Sequence, residues 1–370
     1  MKLSIAQHEL QKGLARIQSI VEKRNTMPIL ANVLLHTGKD ELELAATDLE
    51  VGIRGLHPAT IEAPGSVTVS AKKFFEIVRE LPEESVLIES TEDSFLQIQC
   101  ARAKFTLTGN SAEEYPTLPT FTSEKTSPVQ AILLAQMIDR TMYAASADET
   151  RYNLNGVFFE LDQDSGKCRM VATDGHRLAI VERNLGTNLD ALSQGVIIPR
   201  KGLAELKRLL DEEDTEEIEI GFEDNSGLVK KGGVTLVMRL IEGEFPNYRQ
   251  VIPSETIIHL ILPMEGLSRT LRRVALLSAE RTRAVKLELR EGTLALSSNN
   301  PDLGDAHEEI DIDYAGESLS VAFNARYLID ALAATKAKEV RFSFRDSISP
   351  VLIVPTDDDD TQAVVMPMRI

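Results

Sequence analysis

The chain repeats itself three times, and this repeat limits what it can fold into more than any other feature. AATDLEVGI begins at Ala45, and VATDGHRLAI begins at Val171, about 126 residues later. ALSSNNPDL begins at Ala295, with Ser297 and Ser298 in place of the Thr-Asp pair. Because recurrence at a fixed interval marks one structural unit per copy, the repeat predicts three similar domains rather than one large core.

Two further blocks recur in the same order and at nearly the same spacing. The first block reads VSAKKFFEIVREL, IPRKGLAELKRLL and FNARYLIDALAAT, beginning at Val69, Ile198 and Phe323. The second reads AEEYPTLP, EGEFPNYRQVIP and VVMPMRI, beginning at Ala112, Glu242 and Val364. Agreement of three independent blocks argues against chance and predicts domains at residues 1–122, 128–248 and 252–370.

Each copy is predicted to contain two amphipathic helices. Apolar residues recur at helical spacing in the first copy, and they form the stripes Leu10, Leu14, Ile17, Val21 and Phe74, Val78, Leu81. Six windows with this character cover residues 6–24, 70–80, 134–151, 199–210, 263–283 and 323–338. Each window therefore predicts one helix, two for every copy.

Alternating apolar and polar residues between the helices predict antiparallel strands. KLELREGTLALSS, from Lys286, predicts a hairpin that turns at Glu291–Gly292 and faces its leucines inward. IEIGF from Ile218 and VRFSF from Val340 predict further strands. Each copy thus reads as strand–helix–three strands, written twice, and the fold class is α+β, with two helices packed on antiparallel sheets.

Composition excludes several classes of protein. Hydrophobic residues make up 43% of the chain, enough for real cores. No apolar run approaches the roughly 18 residues of a membrane span, and no signal peptide is expected. Cys100 and Cys168 exclude a disulfide framework and favour a reducing cytoplasm. The six histidines are scattered without ligand spacing and no phosphate-binding glycine loop occurs, so neither a metal nor a cofactor is expected.

The net charge of −18 argues against binding to nucleic acid, because an acidic surface repels phosphates. The charges are, however, unevenly distributed along the chain. The six helical windows contain 21 Lys and Arg against 11 Asp and Glu, so the rest of the chain is strongly acidic. Acidic runs include DEEDTEEIE from Asp211 and TDDDDTQ from Thr356, the latter predicted as a charged hairpin tip. A shared basic face would attract a phosphate backbone, whereas the alternative is an ordinary solvated surface.

The stretch VATDGHRLAI allows two interpretations. Asp174 and His176 could form half of an acid–base dyad, although no nucleophile motif accompanies them. The Thr-Asp pair also occurs in the first copy, without the histidine, and Thr-Asp after a strand is typical of a turn whose side chains bond the nearby backbone. The turn is therefore the favoured interpretation, and Gly175, His176 and Arg177 are what distinguishes the second copy.

The motifs together resemble the bacterial DNA polymerase sliding clamp, the beta subunit of DNA polymerase III. The resemblance is carried by PILANVLL at 28–35, RYNLNG at 151–156, VATDGHRLA at 171–179, EGEFPNYRQVIP at 242–253 and the terminal MPMR. It covers the whole chain. It implies three clamp-type domains per chain and a head-to-tail homodimer that closes a six-domain ring around duplex DNA, with helices lining the hole.

The resemblance also implies a non-catalytic role with several partners. A clamp tethers the DNA polymerase III catalytic subunit, is placed on DNA by a clamp loader, and binds other replication and repair proteins through short peptides. The runner-up interpretation is an enzyme or scaffold that binds polyanions through a monomeric basic face. Because only the clamp requires a closed dimer, molecular size separates the two.

The family's functional positions carry over by motif. The peptide pocket is expected at Leu154, Thr173, Gly175, His176, Arg177, Leu178, Pro246, Val251, Val364 and Met366, and a neighbouring groove at Arg151, Tyr327, Ile348, Pro367, Met368 and Arg369. DNA contacts are expected from Arg24, Lys72, Tyr152, Arg200 and Lys201. The dimer interface is expected to join Phe105 and Leu107 to Leu276 and Leu277.

Four positions depart from the family pattern. Asn153 stands where an aromatic residue is common, Asp148–Glu149 make the loop before Arg151 acidic, and Pro350 replaces a small hydroxyl residue. At the chain end, Met366 and Met368 flank Pro367. Periodicity alone favours core filling for these methionines, whereas the resemblance implies an adaptable partner surface.

Overall fold

The computed structural model describes residues 1–21, 27–91, 93–119, 126–186, 191–212 and 216–369. Arg24, an expected DNA contact, and Ile370, the last residue, lie outside these described residues. In the first copy the elements are β1 (Lys2–Ala6), α1 (Gln7–Ile17), β2 (Asn32–Thr37), β3 (Glu41–Thr47), β4 (Val51–Pro58), β5 (Thr60–Ala63), β6 (Ser66–Ser70), α2 (Ala71–Arg79), β7 (Ser85–Ser90), β8 (Phe95–Cys100) and β9 (Ala103–Asn110).

The other two copies follow the same order. The second contains β10 (Thr126–Gln130), α3 (Ala131–Thr141), β11 (Gly156–Leu161), β12 (Cys168–Thr173), β13 (Arg177–Arg183), α4 (Ala191–Gln194), β14 (Val196–Pro199), α5 (Arg200–Asp211), β15 (Glu217–Glu223), β16 (Ser226–Lys231) and β17 (Val234–Arg239). The third contains β18 (Ile258–Pro263), α6 (Met264–Ala275), β19 (Ala284–Arg290), β20 (Thr293–Asn300), β21 (Gly304–Asp311), β22 (Leu319–Asn324), α7 (Ala325–Thr335), β23 (Glu339–Phe344), β24 (Val351–Pro355) and β25 (Thr361–Val365). Apart from β5 and α4, each copy is the predicted strand–helix–three strands, written twice.

Contacts between residues divide the chain into two compact units rather than three. One unit comprises residues 1–131 and 201–240, and the other comprises residues 132–200 and 241–370. The division follows strand pairing, because β17 of the central copy pairs with β4 in the first unit and β13 pairs with β25 in the second. Each half of the central copy therefore shares a continuous sheet with a neighbouring copy, and the domain boundaries drawn from the repeat stay a prediction.

Antiparallel sheets dominate both units. The first unit contains a 13-stranded sheet in the order β10-β15-β16-β17-β4-β3-β2-β6-β9-β8-β7-β1-β5. The second contains an eight-stranded sheet in the order β14-β11-β12-β13-β25-β24-β23-β18 and a four-stranded sheet in the order β21-β20-β19-β22. The predicted hairpin is confirmed as β19 and β20, with Leu287, Leu289, Leu294 and Leu296 buried and Gly292 turning at φ 70°.

Most of the helices are shorter than the sequence windows predicted, although α5 is as long as its window. Leu10, Leu14 and Ile17 are buried as expected, but α1 ends at Ile17, so placing Val21 on the helical stripe is wrong. The chain turns instead, and the backbone N–H groups of Ile20 and Val21 both donate to the Ile17 carbonyl. Likewise α3 ends at Thr141 and α6 at Ala275, so the later parts of windows 134–151 and 263–283 are not α-helical.

Basic helix residues in each unit are largely engaged by nearby acids. In the first unit the Arg16 Nε and Glu212 Oε2 atoms lie 2.6 Å apart, which ties α1 to the segment after α5. In the second unit Lys336 Nζ lies 2.8 Å from Asp139 Oδ2, which ties the end of α7 to α3. The shared basic face therefore stays a prediction, since pairing offsets part of the helical charge.

Two features of the described residues concern membranes and metals. None of the helices that can be described is both long and apolar enough to cross a bilayer. Across the same ranges no group of His, Cys, Asp and Glu side chains is arranged to hold a metal ion.

Candidate functional site

A cavity of about 260 Å³ opens in the second unit beside the stretch VATDGHRLAI. We call it the anchor pocket, and it is lined by Leu154, Thr173, Gly175, Arg177, Leu178, Pro246, Asn247, Tyr248, Val251, Val364 and Met366. The structure thus brings together nine of the ten expected pocket residues, omits His176 and adds Asn247 and Tyr248. Their role in peptide binding stays a prediction.

Strand pairing explains the apolar floor of the anchor pocket. Leu178 on β13 stands directly opposite Val364 on β25 and Thr173 on β12, so three strands bring these side chains into one row. Leu178 and Val364 belong to a buried cluster that also contains Val171, Ile180 and Tyr248. A preformed apolar floor of this kind can bury a hydrophobic side chain without rearrangement.

The Thr-Asp pair forms the predicted turn. Thr173 Oγ1 donates to the Arg177 carbonyl at 2.6 Å, and Asp174 Oδ1 accepts from the backbone N–H groups of His176 and Arg177. The first copy repeats the arrangement, with Asp48 Oδ1 accepting from Glu50 and Val51. The structural interpretation is confirmed, and both Asp174 oxygens are already engaged because Arg177 Nε donates to the second at 3.0 Å.

The third copy departs from the alignment drawn from sequence. Ser297 and Ser298 lie inside β20, and Ser298 Oγ donates to the Val274 carbonyl at 2.6 Å. The strand ends at Asn300, whose Oδ1 accepts from the Asp302 N–H. Matching Ser297 and Ser298 to the Thr-Asp pair is therefore wrong, because the equivalent turn begins at Asn300.

Arg177, which is partly buried, joins the central copy to the third copy. Its guanidinium bonds Asp174 and also donates to Asp330 Oδ2 of α7 at 2.7 Å. It lies over the rings of Tyr327 and Tyr143, at 4.6 and 5.4 Å from their centroids. Burial raises the pKa of both phenols, so they stay neutral beside the cation. Since its Nε and Nη1 atoms are bonded to Asp174 and Asp330, Arg177 holds the pocket wall in place.

His176 lies beside the anchor pocket rather than in its wall. Its ring stacks on Tyr327 at a centroid distance of 6.3 Å. Its backbone carbonyl accepts from the Met366 N–H at 2.9 Å, which fixes the chain end against the turn. The ring is therefore placed to cover Tyr327, and the dyad interpretation lacks a free carboxylate partner in Asp174.

The chain end continues the sheets rather than hanging free. Met368 N–H donates to the Ala322 carbonyl at 2.7 Å, while the side chain of Met366 stays exposed at the pocket. The other residues of the expected neighbouring groove lie around this end: Arg151 in the turn after α3, Tyr327 on α7, Ile348 in an exposed loop, and Pro367 and Arg369 beside Met368. Whether they bind a peptide stays a prediction.

Sequence reasoning missed a polar network behind the pocket. Arg169, on β12, bonds Glu160, Glu182 and the Tyr248 hydroxyl at 2.6 to 3.0 Å. Tyr248 donates to Glu160 at 2.5 Å, and burial together with that carboxylate raises the pKa of Tyr248 to about 12. The network fixes the ring of Tyr248, which forms one wall of the pocket. EGEFPNYRQVIP contains Tyr248, but its partners are about 80 residues away.

The acidic run at 357–360 is confirmed as a hairpin tip, between β24 and β25. Asp358 bonds Arg140 and Arg183, the latter at 2.5 Å, and Lys167 bonds Asp360 at 2.7 Å. Burial alone would raise the pKa of Asp358, but hydrogen bonds from Thr361 and Arg183 and the charge of Arg140 lower it below its usual value. The tip therefore joins β25 to elements of the central copy by charge.

Asp358→Asn should lower the midpoint of thermal unfolding at pH 7. The change leaves two arginines without their carboxylate, which costs about 2 kcal/mol. Because the folded pKa is lowered, the contribution is present above the unfolded pKa of about 3.9 and is lost as the pH falls through the folded value. Calorimetry should therefore show the difference from wild type shrinking below about pH 4. Asp359→Asn, whose exposed partner is Arg341, should change little; equal losses would contradict the buried tie.

The expected DNA contacts that the structure describes differ in exposure and in whether a carboxylate already pairs with them. Lys72 on α2 is exposed and lies 3.7 Å from Glu76. Lys201 on α5 pairs with the buried carboxylate of Asp48, while Arg200 and Tyr152 are exposed. Beside Tyr152, Asp148 caps its turn and pairs with Arg151 at 3.2 Å, and hydrogen bonds from Thr150 lower the pKa of Asp148.

The expected dimer residues lie at sheet and helix ends. Phe105 and Leu107 are on β9, with the Phe105 ring exposed. Leu276 and Leu277 directly follow α6, and Leu276 is 77% exposed. Their pairing across a dimer interface stays a prediction.

Comparisons with known proteins match the chain along its length. Three family models match: DNA polymerase III beta subunit, N-terminal domain, at residues 1–119, its central domain at 129–247, and its C-terminal domain at 249–369. The beta sliding clamp of Caulobacter vibrioides is 38% identical over 374 residues, covering all of both chains. The crystal structure of the DNA polymerase III subunit beta from Pseudomonas aeruginosa is similar with a TM-score of 0.94, 35% identity and full coverage of both chains. The crystal structure of a sliding clamp from Bartonella birtlesii bound to griselimycin is similar with a TM-score of 0.95 and 34% identity, also with full coverage of both chains.

These matches define a class of protein, the non-catalytic processivity subunits of DNA polymerases. The chain belongs to the DNA polymerase III beta subunit family, the bacterial sliding clamps. The resemblance seen in the sequence and the expected α+β fold of three clamp-type domains are thereby confirmed.

Proposed function

We propose that the protein encircles duplex DNA as a homodimeric ring and tethers the DNA polymerase III catalytic subunit to its template. The observation that carries this is the full-length match to beta sliding clamps, all three domains included. A clamp loader and other replication and repair proteins with clamp-binding peptides are its further partners. The protein acts in the cytoplasm, without catalysis and without a cofactor.

Ring closure would use the sheet edges of the first and third copies. β9 pairs with β8 along its length but with β6 only at Thr68 and Val69, and β21 is the last strand of its sheet. An open strand edge invites pairing with another chain. Joining β9 of one protein chain to β21 of a second chain would bring Phe105 and Leu107 towards Leu276 and Leu277 of that second chain. Two such junctions close a symmetric dimer.

Partner binding would use the anchor pocket. Its floor is apolar and rigid, and its wall is held by Arg177 and by the network behind Tyr248. A short, mainly hydrophobic peptide suits such a pocket, with most of its binding energy in one or two buried side chains. Met366, a flexible thioether at the rim, can adjust to the side chains of different partners.

Loaded protein should remain on a nicked circular DNA and dissociate once the circle is cut to a linear form. A ring retains DNA by topology, so retention does not need tight contacts. The measurement is gel filtration of labelled protein loaded by a clamp loader, before and after a restriction enzyme opens the circle. Equal retention on both forms would show ordinary DNA binding and contradict the ring.

The Lys72→Glu, Arg200→Glu double variant, which reverses both charges, should be impaired in loading onto DNA or in retention on it, while its dimer stays intact. These two side chains can be changed without removing a buried partner, unlike Lys201, which pairs with Asp48. Lys and Arg contacts to phosphates position DNA without reading bases, and each lost contact should reduce the salt dependence by about one unit of slope. The matched control is Lys39→Glu, in the exposed turn between β2 and β3, with Arg290→Glu at the exposed end of β19. An equal defect in the control would assign the effect to net charge alone.

A further inference from the structure

A second cavity adjoins the anchor pocket in the same unit. It encloses about 690 Å³ and is lined by Asn153, Phe158, Glu160 and residues 244–250. We call it the adjoining groove, and it shares no lining residue with the neighbouring groove expected from the sequence. Pro246, Asn247 and Tyr248 line both cavities, so a single short turn of chain separates them. A peptide that leaves the anchor pocket across this turn can pass directly into the groove.

The floor of the adjoining groove is aromatic and rests on the same core as the anchor pocket. The rings of Phe158 and Phe245 stack with centroids 5.1 Å apart and planes 9° apart. Both are half-buried and pack against the cluster of Val171, Leu178 and Val364 that floors the anchor pocket. The groove therefore offers a rigid ring surface on which one apolar or aromatic side chain can lie.

The rim of the groove is polar but nearly neutral. Arg249, 58% exposed, bonds Glu160 at 3.1 Å and lies 5.1 Å from the centroid of the Tyr248 ring. Asn153 Nδ2 donates to the Glu244 carbonyl at 3.1 Å, and the side chain of Glu244 is exposed. Because the guanidinium is already balanced by Glu160, the groove lacks the free positive charge that a phosphate ligand requires. Amides at the rim suit the backbone of an extended peptide.

We propose that the adjoining groove binds the segment of the partner peptide that directly follows or precedes its hydrophobic anchor, with one apolar or aromatic side chain on Phe158 and Phe245. The inference rests on the proposed function of the anchor pocket. The groove is continuous with the anchor pocket, since the two cavities share three wall residues and one hydrophobic cluster. This continuity favours a segment of the same peptide as the occupant of the groove. The groove makes residues outside the anchor contribute to which partner binds.

The test compares peptides by fluorescence polarisation with the full-length protein. One peptide carries only the hydrophobic anchor of the polymerase catalytic subunit, and two others add a short segment with one phenylalanine, before or after the anchor. One extended peptide should bind wild-type protein about tenfold more tightly than the core peptide. Asn153→Tyr, which fills the groove from a residue outside the anchor pocket, should abolish this gain and leave core-peptide affinity unchanged.

Asn153→Ala is the matched control, because it removes the same amide and its bond to Glu244 but leaves the groove open. It should keep the tenfold gain. If neither extension strengthens binding, or if the gain survives in Asn153→Tyr, the groove does not bind the partner and the inference is wrong while the anchor pocket stands. If the core peptide itself does not bind wild-type protein, the proposed function of the anchor pocket fails, and the inference fails with it.

Discussion

The Leu276→Ala, Leu277→Ala double variant should be a monomer at concentrations where the wild type is a dimer. Leu276 is 77% exposed in the single chain and Leu277 beside it is half-buried, and large apolar side chains at the surface gain stability from burial at an interface. Truncating a buried interface anchor costs about 2 kcal/mol, and a symmetric ring loses both leucines at each of its junctions. The dissociation constant should rise at least about a thousandfold, measured by sedimentation velocity.

The matched control removes two exposed aliphatic side chains elsewhere in the third copy. Ile257 and Ile261, which are 76% and 62% exposed, lie before and within β18, which belongs to a different sheet from β21. Ile257→Ala with Ile261→Ala should leave the dimer intact, and circular dichroism should show both double variants folded. A dimeric leucine variant would place the interface elsewhere, and a wild type that is monomeric at micromolar concentration would falsify the ring.

Local chemistry made much of the fold predictable. The hairpin at 286–298 follows from strict alternation and from Gly292 at a positive φ, both of which are local properties. The turn at Thr173 and Asp174 follows from side chains that bond backbone groups within four residues. Helix ends were less predictable: the apolar spacing continues to Val21, but α1 ends at Ile17.

The candidate site was predictable only as far as its motifs reach. Family motifs supplied nine lining residues, whereas Tyr248 was missed because its significance depends on Arg169 and Glu160, which lie far away in sequence. The bonds of Arg177 to Asp330 and of Lys201 to Asp48 also join distant elements. No periodicity encodes such pairs, so the sequence alone does not show that Arg177 and Lys201 are already paired with carboxylates.

The repeat predicted three similar copies but not how they share their sheets. Pairing of β17 with β4 and of β13 with β25 distributes the central copy over two units. Strand pairing across copies depends on which edges are open after each copy folds, and that is not a local property of any block. The misplaced turn of the third copy has a similar origin, since β20 is longer than its counterparts β3 and β12.

Val251→Asp should abolish binding of a polymerase-derived peptide. Val251 lies in the helical turn at Tyr248–Val251, is 43% exposed and lines the anchor pocket. A partner's hydrophobic anchor would have to strip water from the new carboxylate, and an unpaired charge in an apolar site is costly. Affinity should fall by at least about a hundredfold from a micromolar starting value. Fluorescence polarisation measures it, and sedimentation shows that the dimer persists.

Two controls separate loss of the pocket from loss of the fold. Val251→Ala keeps the pocket apolar and should weaken binding only several-fold, whereas Ile257→Asp adds the same charge at a site 76% exposed and should leave affinity unchanged. Point changes suit this test better than truncating the chain end, because Met366 and Met368 also bond His176 and Ala322 through the backbone. If Val251→Asp remains folded and binds the peptide as wild type does, partners dock elsewhere. Leu178, Val364 and Met366 would then serve only the packing of the second unit.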